Sequence, residues 1–285
     1  MNKNIFKLNL FLTLFLSLHS IAYAVIGTKT PNISKSAENL IKGSGIKWRN
    51  KEGVHFIYYY SKRSDLVKFS KRAEKFYEKI KIDLNIKKDP DYKCLVYLVS
   101  GDSEWNRFIS RINMRPGTGG FYTGREIFVP VEKKSFYKDK EKTFAHEICH
   151  LIFMNFWGHS NCPLWINEGM ACYESSIAHK AINRMSFKAQ NLKKKSLIPL
   201  KEIFKIRTYP EDPATNLTFY RQSEWIVKFL IEKHPKKLFS IFIKKLKNEP
   251  YNTENILLKV YSKYYNNFPD FEKKYLNFCR KQHKH

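Results

Sequence analysis

The pattern of hydrophobic and polar positions predicts strands early in the chain and helices later. Residues 54–60 and 94–99 are β-branched and aromatic runs that predict two strands, and a third strand is predicted at 127–131. Between the first two runs, residues 66–82 carry apolar side chains at helical spacing, so the chain begins with a βαβ-like unit. Residues 25–45 are polar and contain Ser, Asn and Gly, which indicates a flexible lead-in.

Helices are predicted for almost everything from residue 142 onward. The predicted ranges, with one short earlier helix, are 105–112, 143–156, 164–178, 200–206 and 217–234, and three more helices follow. Because the chain has no internal repeat and no low-complexity linker, only a soft boundary is predicted, within residues 183–199. We therefore predict an α+β fold with a catalytic lobe over residues 46–190 and a helical C-terminal lobe over residues 191–285.

Composition and charge narrow the class of protein. The chain has 285 residues, 43% of them hydrophobic, which is enough to bury a large core and excludes a disordered chain or a small disulfide scaffold. Lys and Arg total 52 against 26 acidic residues, and this net charge of +26 is compatible with an anionic partner. Because Lys outnumbers Arg, the charge is scattered and the chain contains no recognisable nucleic-acid-binding module, we expect no specific nucleic-acid partner.

The first residues have the pattern of a signal peptide. Lys3 and Lys7 precede an apolar run over residues 8–18, and Ala22-Tyr23-Ala24 has the small-x-small form of a cleavage site. The apolar run is shorter than the roughly 20 residues that a membrane-spanning helix needs. We therefore expect residues 1–24 to be removed on export, which would leave a soluble protein in the periplasm or the medium.

An HExxH motif lies on an otherwise apolar predicted helix, in the sequence Thr143-Phe-Ala-His146-Glu147-Ile-Cys-His150. Four residues span about 400° of an α-helix, so His146 and His150 project from one face and can share one Zn²⁺ ion. Glu147 is rotated by about 100° from His146, which places its carboxylate beside the ion, where it can act as a general base toward water. The apolar flanks indicate a buried helix, in which uncompensated ionisable side chains are rare.

A zinc hydrolase of this kind needs a third protein ligand, with the fourth position left for water or substrate. The next predicted helix begins Leu164-Trp-Ile-Asn-Glu168-Gly169-Met-Ala171, in which Glu168 is an acidic residue among apolar neighbours. Glu168 is therefore the candidate third ligand, and the small Gly169 and Ala171 would allow this helix to approach the HExxH helix closely. The alternative is that Glu168 is an ordinary carboxylate on a helix surface.

An HExxH motif followed by a W-x-N-E-G-x-A helix resembles the gluzincin metallopeptidases, and residues 164–171 are similar to the corresponding segment of the aminopeptidase N family, in the thermolysin-like superfamily. The resemblance covers about residues 144–230. It implies a zincin-like catalytic domain with a small N-terminal sheet, in which Glu147 is the catalytic base. The zinc ligands that it implies are His146, His150 and Glu168.

The resemblance also implies a catalytic tyrosine. The segment that begins Tyr220-Arg-Gln-Ser is similar to the helix that carries a transition-state tyrosine in those enzymes, so the hydroxyl of Tyr220 would donate a hydrogen bond to the oxyanion. A tyrosine at the start of a helix also has a simpler alternative role in packing.

One departure concerns the substrate. Aminopeptidases carry a G-x-M-E-N segment upstream of HExxH, whose glutamate holds the free amino terminus, and this sequence instead contains Gly119-Gly120-Phe121-Tyr-Thr-Gly-Arg-Glu126. A strand there could pair with an extended peptide, so Gly119, Gly120 and Phe121 are predicted substrate contacts. Glu126 is a candidate for binding an amine, with an ordinary edge-strand carboxylate as the alternative. Endopeptidase and aminopeptidase activity therefore both stay open.

The five cysteines, an odd number, match no zinc ribbon and no C-x-x-C redox site. Export would permit disulfides, and Cys162 and Cys172, which flank the second motif, are the first pair to test. Cys149, inside the HExxH helix, is expected to be a small buried hydrophobe. No pairing is predicted for Cys94 or Cys279.

Taken together, the sequence predicts an exported zinc metallopeptidase that acts on peptides or proteins. Two alternatives come from other classes. One is a binding protein that keeps the zincin scaffold without catalysis, although the presence of Glu147 argues against it. The other is a basic module that associates with an anionic envelope through the Lys-rich region from Lys228 onward, which a solvated helical face explains equally well.

Overall fold

The computed structural model describes residues 33–281 except 88, 91, 112–113, 115–117, 132–136, 159–160 and 179–196. The predicted signal peptide, residues 25–32 of the lead-in and the predicted lobe boundary near residue 190 lie outside the described residues. Strands occur up to residue 131 and helices alone follow in the described part of the chain, which confirms the predicted α+β class.

One mixed sheet of five strands forms the first half of the described chain. Its strands are β1 Arg49–Glu52, β2 Phe56–Tyr60, β3 Cys94–Ser100, β4 Phe121–Tyr122 and β5 Glu126–Val131, in the spatial order β1-β2-β3-β5-β4. β2, β3 and β5 are parallel, whereas β1 and β4 pair antiparallel with their neighbours. Every residue of β3 and β5 is buried because both strands lie inside the sheet and are covered on both faces.

Four helices cover the sheet: α1 Lys35–Gly43, α2 Arg63–Leu84, α3 Asp102–Ser110 and α4 Tyr137–Trp157. On one face, Ala37 of α1 and Trp105 of α3 join a hydrophobic cluster with Tyr97 of β3 and Phe128 of β5. On the other face, α2 and α4 pack on the residues of β3 and β5 that alternate with these, such as Val96. The HExxH motif therefore lies on the second face.

Six further helices of the described chain follow α4. They are α5 Leu164–Ala178, α6 Leu200–Lys205, α7 Pro213–Glu232, α8 Lys236–Asn248, α9 Thr253–Val260 and α10 Phe268–Lys281. α5 packs against both α4 and α7. Trp165 of α5 is fully buried, with its ring centroid 5.0 Å from that of Phe204 in α6 and 6.4 Å from that of Phe242 in α8. One hydrophobic cluster thus continues from β2 to α10 without a break.

The predicted elements are present, and three further elements are found. The lead-in was expected to be flexible, but it contains α1, which begins where the Ser34 hydroxyl accepts a hydrogen bond from the backbone N–H of Ala37. β1 has four exposed residues and therefore lacks the alternation that reveals a strand. β4 is only two residues long and is held by its pairing with β5.

The cysteines form no disulfide, and this includes the suggested pair Cys162 and Cys172. Cys149 is fully buried within α4, in the role expected of a small hydrophobe. Among the helices of the described part, none combines the length and the apolar character that a bilayer crossing requires.

Candidate metal centre

The HExxH motif is held in place because α4 buries its apolar face. Phe144 and Ile148 are fully buried, and the ring of Phe144 meets that of Phe69 in α2 edge-on, with the centroids 5.1 Å apart. This packing leaves His146 and His150 on the face of α4 that is directed toward α5. Their Nε2 atoms lie 3.0 Å apart.

Glu168 of α5 completes a group of three metal-binding side chains. Its Oε2 lies 3.4 Å from Nε2 of His146 and 3.6 Å from Nε2 of His150. One ligand atom from each of the three residues lies within 4.8 Å of the others. Burial by itself would raise the pKa of the Glu168 carboxyl, but the two histidines and a hydrogen bond from Tyr209 hold that pKa down at about 2.

The donor set fits a zinc ion. Two imidazole nitrogens and one carboxylate oxygen are the ligands of many catalytic zinc sites, which keep a fourth position open. Oε2 of Glu168 is buried and has no hydrogen-bond partner within the described residues, and such an oxygen is costly unless a cation compensates it. Nδ1 of His150 donates to Oδ1 of Asn167 at 3.0 Å, a contact that leaves Nε2 as the coordinating atom.

Glu147 lies beside this group and is 7% exposed. Burial raises the pKa of its carboxyl to about 7, against the opposing effect of His150 and with a smaller contribution from the charge of Glu168. A carboxyl group with a pKa near neutrality both accepts and releases a proton readily at that pH. This is the property that a general base requires when it must return the proton later in the reaction.

Gly169 allows α7 to approach the metal centre. A Cβ atom at this position would lie 2.5 Å from the backbone oxygen of Ser223, so only glycine permits the observed packing of α5 on α7. The sequence suggested that Gly169 admits the HExxH helix, and the structure shows that the helix it admits is α7. Because Tyr220 precedes Ser223 by one turn, this approach brings Tyr220 toward Glu168. Burial raises the pKa of the Tyr220 hydroxyl, and the negative charge of Glu168 raises it further.

Three residues around the metal centre were not assigned to it from the sequence. Tyr209, in the loop before α7, donates its hydroxyl hydrogen to Oε1 of Glu168 at 2.5 Å. Asn167 holds His150, and its position next to Glu168 in the motif was the signal that could have identified it. Cys172, one turn after Glu168, places its Sγ 3.9 Å from Nδ1 of His146. No local pattern in the sequence marks Tyr209 or Cys172.

The predicted substrate contacts at residues 119–121 lie next to the HExxH helix. Cβ atoms added at Gly119 and Gly120 would lie 3.1 Å and 3.0 Å from side-chain atoms of Thr143, one turn before His146. Phe121 begins β4, the outermost strand on this side of the described sheet, while its ring packs in the cluster on the opposite face. The structure therefore brings the backbone of this segment, rather than the Phe121 side chain, to the helix that carries the motif.

Glu126 does not join the metal centre. It lies in β5, which is an inner strand because β4 covers its outer side, so it is not the edge-strand carboxylate considered above. Its side chain is fully buried and accepts hydrogen bonds from Ser34, at 2.6 Å from the backbone N–H, and from the hydroxyl of Thr123. Because it shares a sheet face with Phe128, away from α4, its carboxylate is not placed to bind a substrate amine.

The fold and the metal-binding group together define a metallopeptidase-like protein of the zincin type. A comparison with protein families matches residues 116–277 to the Peptidase MA superfamily. The match spans more than half of the chain, which therefore belongs to the Peptidase MA superfamily. Members of this superfamily are typically zinc-dependent peptidases. No curated protein matches the chain.

Proposed function

We propose that the protein is an exported zinc metallopeptidase that hydrolyses peptide bonds with Glu147 as general base. The observation that carries the proposal is the convergence of His146, His150 and Glu168 on one point, with a buried carboxylate oxygen that has no other partner in the described chain. Membership of the Peptidase MA superfamily supports the same class of reaction. The closer similarity to aminopeptidase N remains part of the proposal.

In the proposed mechanism each residue has one task. His146, His150 and Glu168 would hold a zinc ion, which when bound would supply Lewis-acid polarisation of the scissile carbonyl and lower the pKa of water. Glu147 accepts a proton from the attacking water and delivers it to the leaving amine nitrogen. The Tyr220 hydroxyl donates a hydrogen bond to the oxygen that becomes negatively charged in the tetrahedral transition state.

An extended peptide is the substrate that the sheet best accommodates. β4 lies at the edge of the described sheet, and glycines 119 and 120 lead into it directly beside Thr143 of the motif helix, one turn before His146. An added strand at this edge would place its backbone alongside the metal-binding residues, which is the usual way a protease holds its substrate. We therefore retain Gly119, Gly120 and the backbone of Phe121 as substrate contacts and drop Glu126.

The test compares the wild type with two matched variants. The chain is expressed with its signal sequence, its bound metal is measured, and it is assayed on a mixed peptide library before and after chelation. Glu147→Gln is expected to bind zinc normally and to lose activity by about 10²-fold or more. Glu174→Gln, which changes a buried glutamate of α5 outside the metal centre, should keep its activity. Wild-type protein that is loaded with zinc and cleaves nothing beyond the Glu147→Gln control contradicts the proposal.

The same preparations test two further points. Cleavage at internal or at terminal bonds separates an endopeptidase from an aminopeptidase. Export predicts that the mature chain isolated from the periplasm or the medium begins at Val25, and an intact Met1 in the exported fraction would contradict this expectation.

A second candidate property, weak association with an anionic envelope, is favoured by one observation. α8 has five exposed lysines and no acidic residue among its 13 residues. We expect the protein to sediment with phosphatidylglycerol vesicles at low salt and to be released at high salt. Replacement of Lys237, Lys244 and Lys245 by Gln should reduce binding several-fold, whereas the same change at the exposed Lys51, Lys71 and Lys75 should not. Equal losses in both triple variants would indicate only a general charge effect.

A further inference from the structure

Tyr209 lies in a short loop that connects α6 to α7 across the metal centre. The loop is anchored at both ends: Arg207 stacks its guanidinium 4.0 Å from the ring centroid of Tyr251, and Asp212 caps α7 by accepting from the backbone N–H of Thr215 at 2.7 Å. Between these anchors the ring of Tyr209 stacks on that of Tyr220, with the centroids 5.9 Å apart and the planes 14° apart. The loop is therefore held at both ends, and the ring of Tyr209 is held by stacking on Tyr220.

The two oxygens of the Glu168 carboxylate have different environments. Oε1 accepts the hydrogen bond from the Tyr209 hydroxyl at 2.5 Å. Oε2 faces the Nε2 atoms of the two histidines and has no hydrogen-bond partner among the described residues. Half of the surface of Tyr209 is exposed, yet its hydroxyl is directed inward, toward Oε1 of Glu168.

We propose that Tyr209 is a positioning residue that fixes the Glu168 carboxylate so that Oε2 alone is presented to the metal. The inference rests on the proposed zinc site and adds a residue that lies outside the matched motifs. Without the hydroxyl, the terminal torsion of a glutamate side chain is broad, so the carboxylate plane would no longer be held with one oxygen directed at the histidines. Hydrogen bonds to metal-ligating carboxylates restrict this rotation, and their removal typically weakens metal binding by about 10–100-fold.

Tyr220 provides the matched comparison. It is a tyrosine of the same stacked pair, but in the proposed function its hydroxyl acts on the transition state rather than on Glu168. Tyr209→Phe and Tyr220→Phe each remove one hydroxyl and keep the ring. If the two residues have the roles proposed, the first variant loses metal affinity and the second loses turnover.

The experiment measures zinc affinity by competition with a chromophoric chelator, using the purified chain after metal removal. Tyr209→Phe is expected to bind zinc about 10–100-fold more weakly than the wild type, Tyr220→Phe within about twofold, and Glu168→Gln more weakly than both. The absorption spectrum of the Co²⁺-substituted protein gives a second readout that does not depend on activity. We expect this spectrum to change in Tyr209→Phe and to be retained in Tyr220→Phe.

The outcomes separate the positioning role from the proposed function. An affinity of Tyr209→Phe within about twofold of the wild type, together with weak binding by Glu168→Gln, would overturn the role of Tyr209 and leave the zinc site intact. Unchanged zinc affinity in both Tyr209→Phe and Glu168→Gln would remove Glu168 as a ligand and with it the proposed metal centre. If Tyr209→Phe does not fold, Tyr209→His, which keeps a ring N–H donor, is compared with Tyr209→Leu, and equal affinities in that pair would also overturn the proposal.

Discussion

Two glutamates of α5, one at the metal centre and one in the C-terminal half of the helix, have carboxyl pKa values that are shifted in opposite directions. Glu168 and Glu174 are six residues apart on one helix, and each is only 1% exposed. The pKa of the Glu168 carboxyl is lowered to about 2, whereas burial raises the pKa of Glu174 to about 7. Equal burial therefore produces opposite shifts, and the difference must come from the neighbours.

The neighbours differ in number and in arrangement. Glu168 has two imidazoles and a phenol directed at its two oxygens, at 2.5 to 3.6 Å. Glu174 has one close cation, Lys79 at 3.2 Å, which Asp83 shares at 2.5 Å. Oε1 of Glu174 is buried and has no hydrogen-bond partner in the part of the chain that the structure describes. Burial acts to raise the pKa of both carboxyls. Only Glu168 has enough neighbours that stabilise the charged carboxylate to lower its pKa despite burial.

The largest expected effect is on zinc affinity, and it tests whether Glu168 and Glu174 differ in function. Glu168→Gln should weaken zinc binding by more than about 100-fold because it removes a ligand, whereas Glu174→Gln should leave the affinity unchanged. Isothermal titration of metal-free protein measures both. Similar losses of zinc affinity in the two variants would mean that Glu168 is not a ligand of the metal.

The next effect concerns the residue that holds α7 against this helix. Gly169→Ala should lower the free energy of unfolding by about 3 kcal/mol, because the added Cβ would clash with the backbone of Ser223 and force α5 and α7 apart. Chemical denaturation measures the change. Gly43→Ala at the end of α1 is the control, since the nearest atom to its added Cβ is 3.9 Å away, and a similar loss there would argue against a specific close approach at Gly169.

The raised pKa of Glu174 predicts that the stability of the protein depends on pH. The folded-state pKa of Glu174, about 7, lies above its ordinary value of 4.5, so the folded protein holds a proton that the unfolded chain releases. The free energy of unfolding should therefore fall as the pH rises from about 4.5 to about 7, by up to about 3 kcal/mol, and this contribution is fully present only below that window.

The matched variant for this prediction is Glu174→Gln, which cannot ionise. We expect its denaturation midpoint to change less between pH 5 and pH 7 than that of the wild type, when both are measured without metal so that pH-dependent metal binding does not contribute. Parallel pH profiles for the two proteins would show that the charge of Glu174 is not costly.

The smallest effect that we predict concerns the support of His150. Asn167→Ala should weaken zinc binding by about tenfold because Nδ1 of His150 loses its acceptor and the ring is no longer held in one orientation. Asn155→Ala, which changes an asparagine of α4 that bonds to Tyr92 instead, serves as the control in the same titration. A larger loss in the control than in Asn167→Ala would contradict this role.

The elements that surround the metal centre could be predicted because their patterns are long and local. The helix predicted over residues 164–178 has the same bounds as α5, and the four-residue spacing of His146 and His150 was enough to place both on one face. Short elements that depend on their partners were not predicted. β4, which is two residues long, was not predicted. Glu126 was therefore assigned to an edge strand, where it was considered as a substrate contact, although β4 makes β5 an inner strand.

Contacts between distant segments account for what the sequence could not predict in the site. Glu168 precedes Tyr209 by 41 residues, and Tyr209 lies in a loop without periodicity, so nothing local indicates that the two side chains meet. The role of Gly169 was predicted in part: the need for a small residue was recognised, but the helix that requires it belongs to a different part of the chain. In both cases tertiary packing selects the partner, and a pattern along the chain does not.

The hydrophobic cluster that runs from Phe56 in β2 to Cys279 in α10 has a consequence for how the protein unfolds. On the α4 face of the sheet, the sheet and the C-terminal helices share one interior, so removing the helices after α5 would expose to water the apolar face of α5 that packs on α7. Thermal unfolding should therefore be a single cooperative transition, and a chain that ends after α5 should not fold on its own.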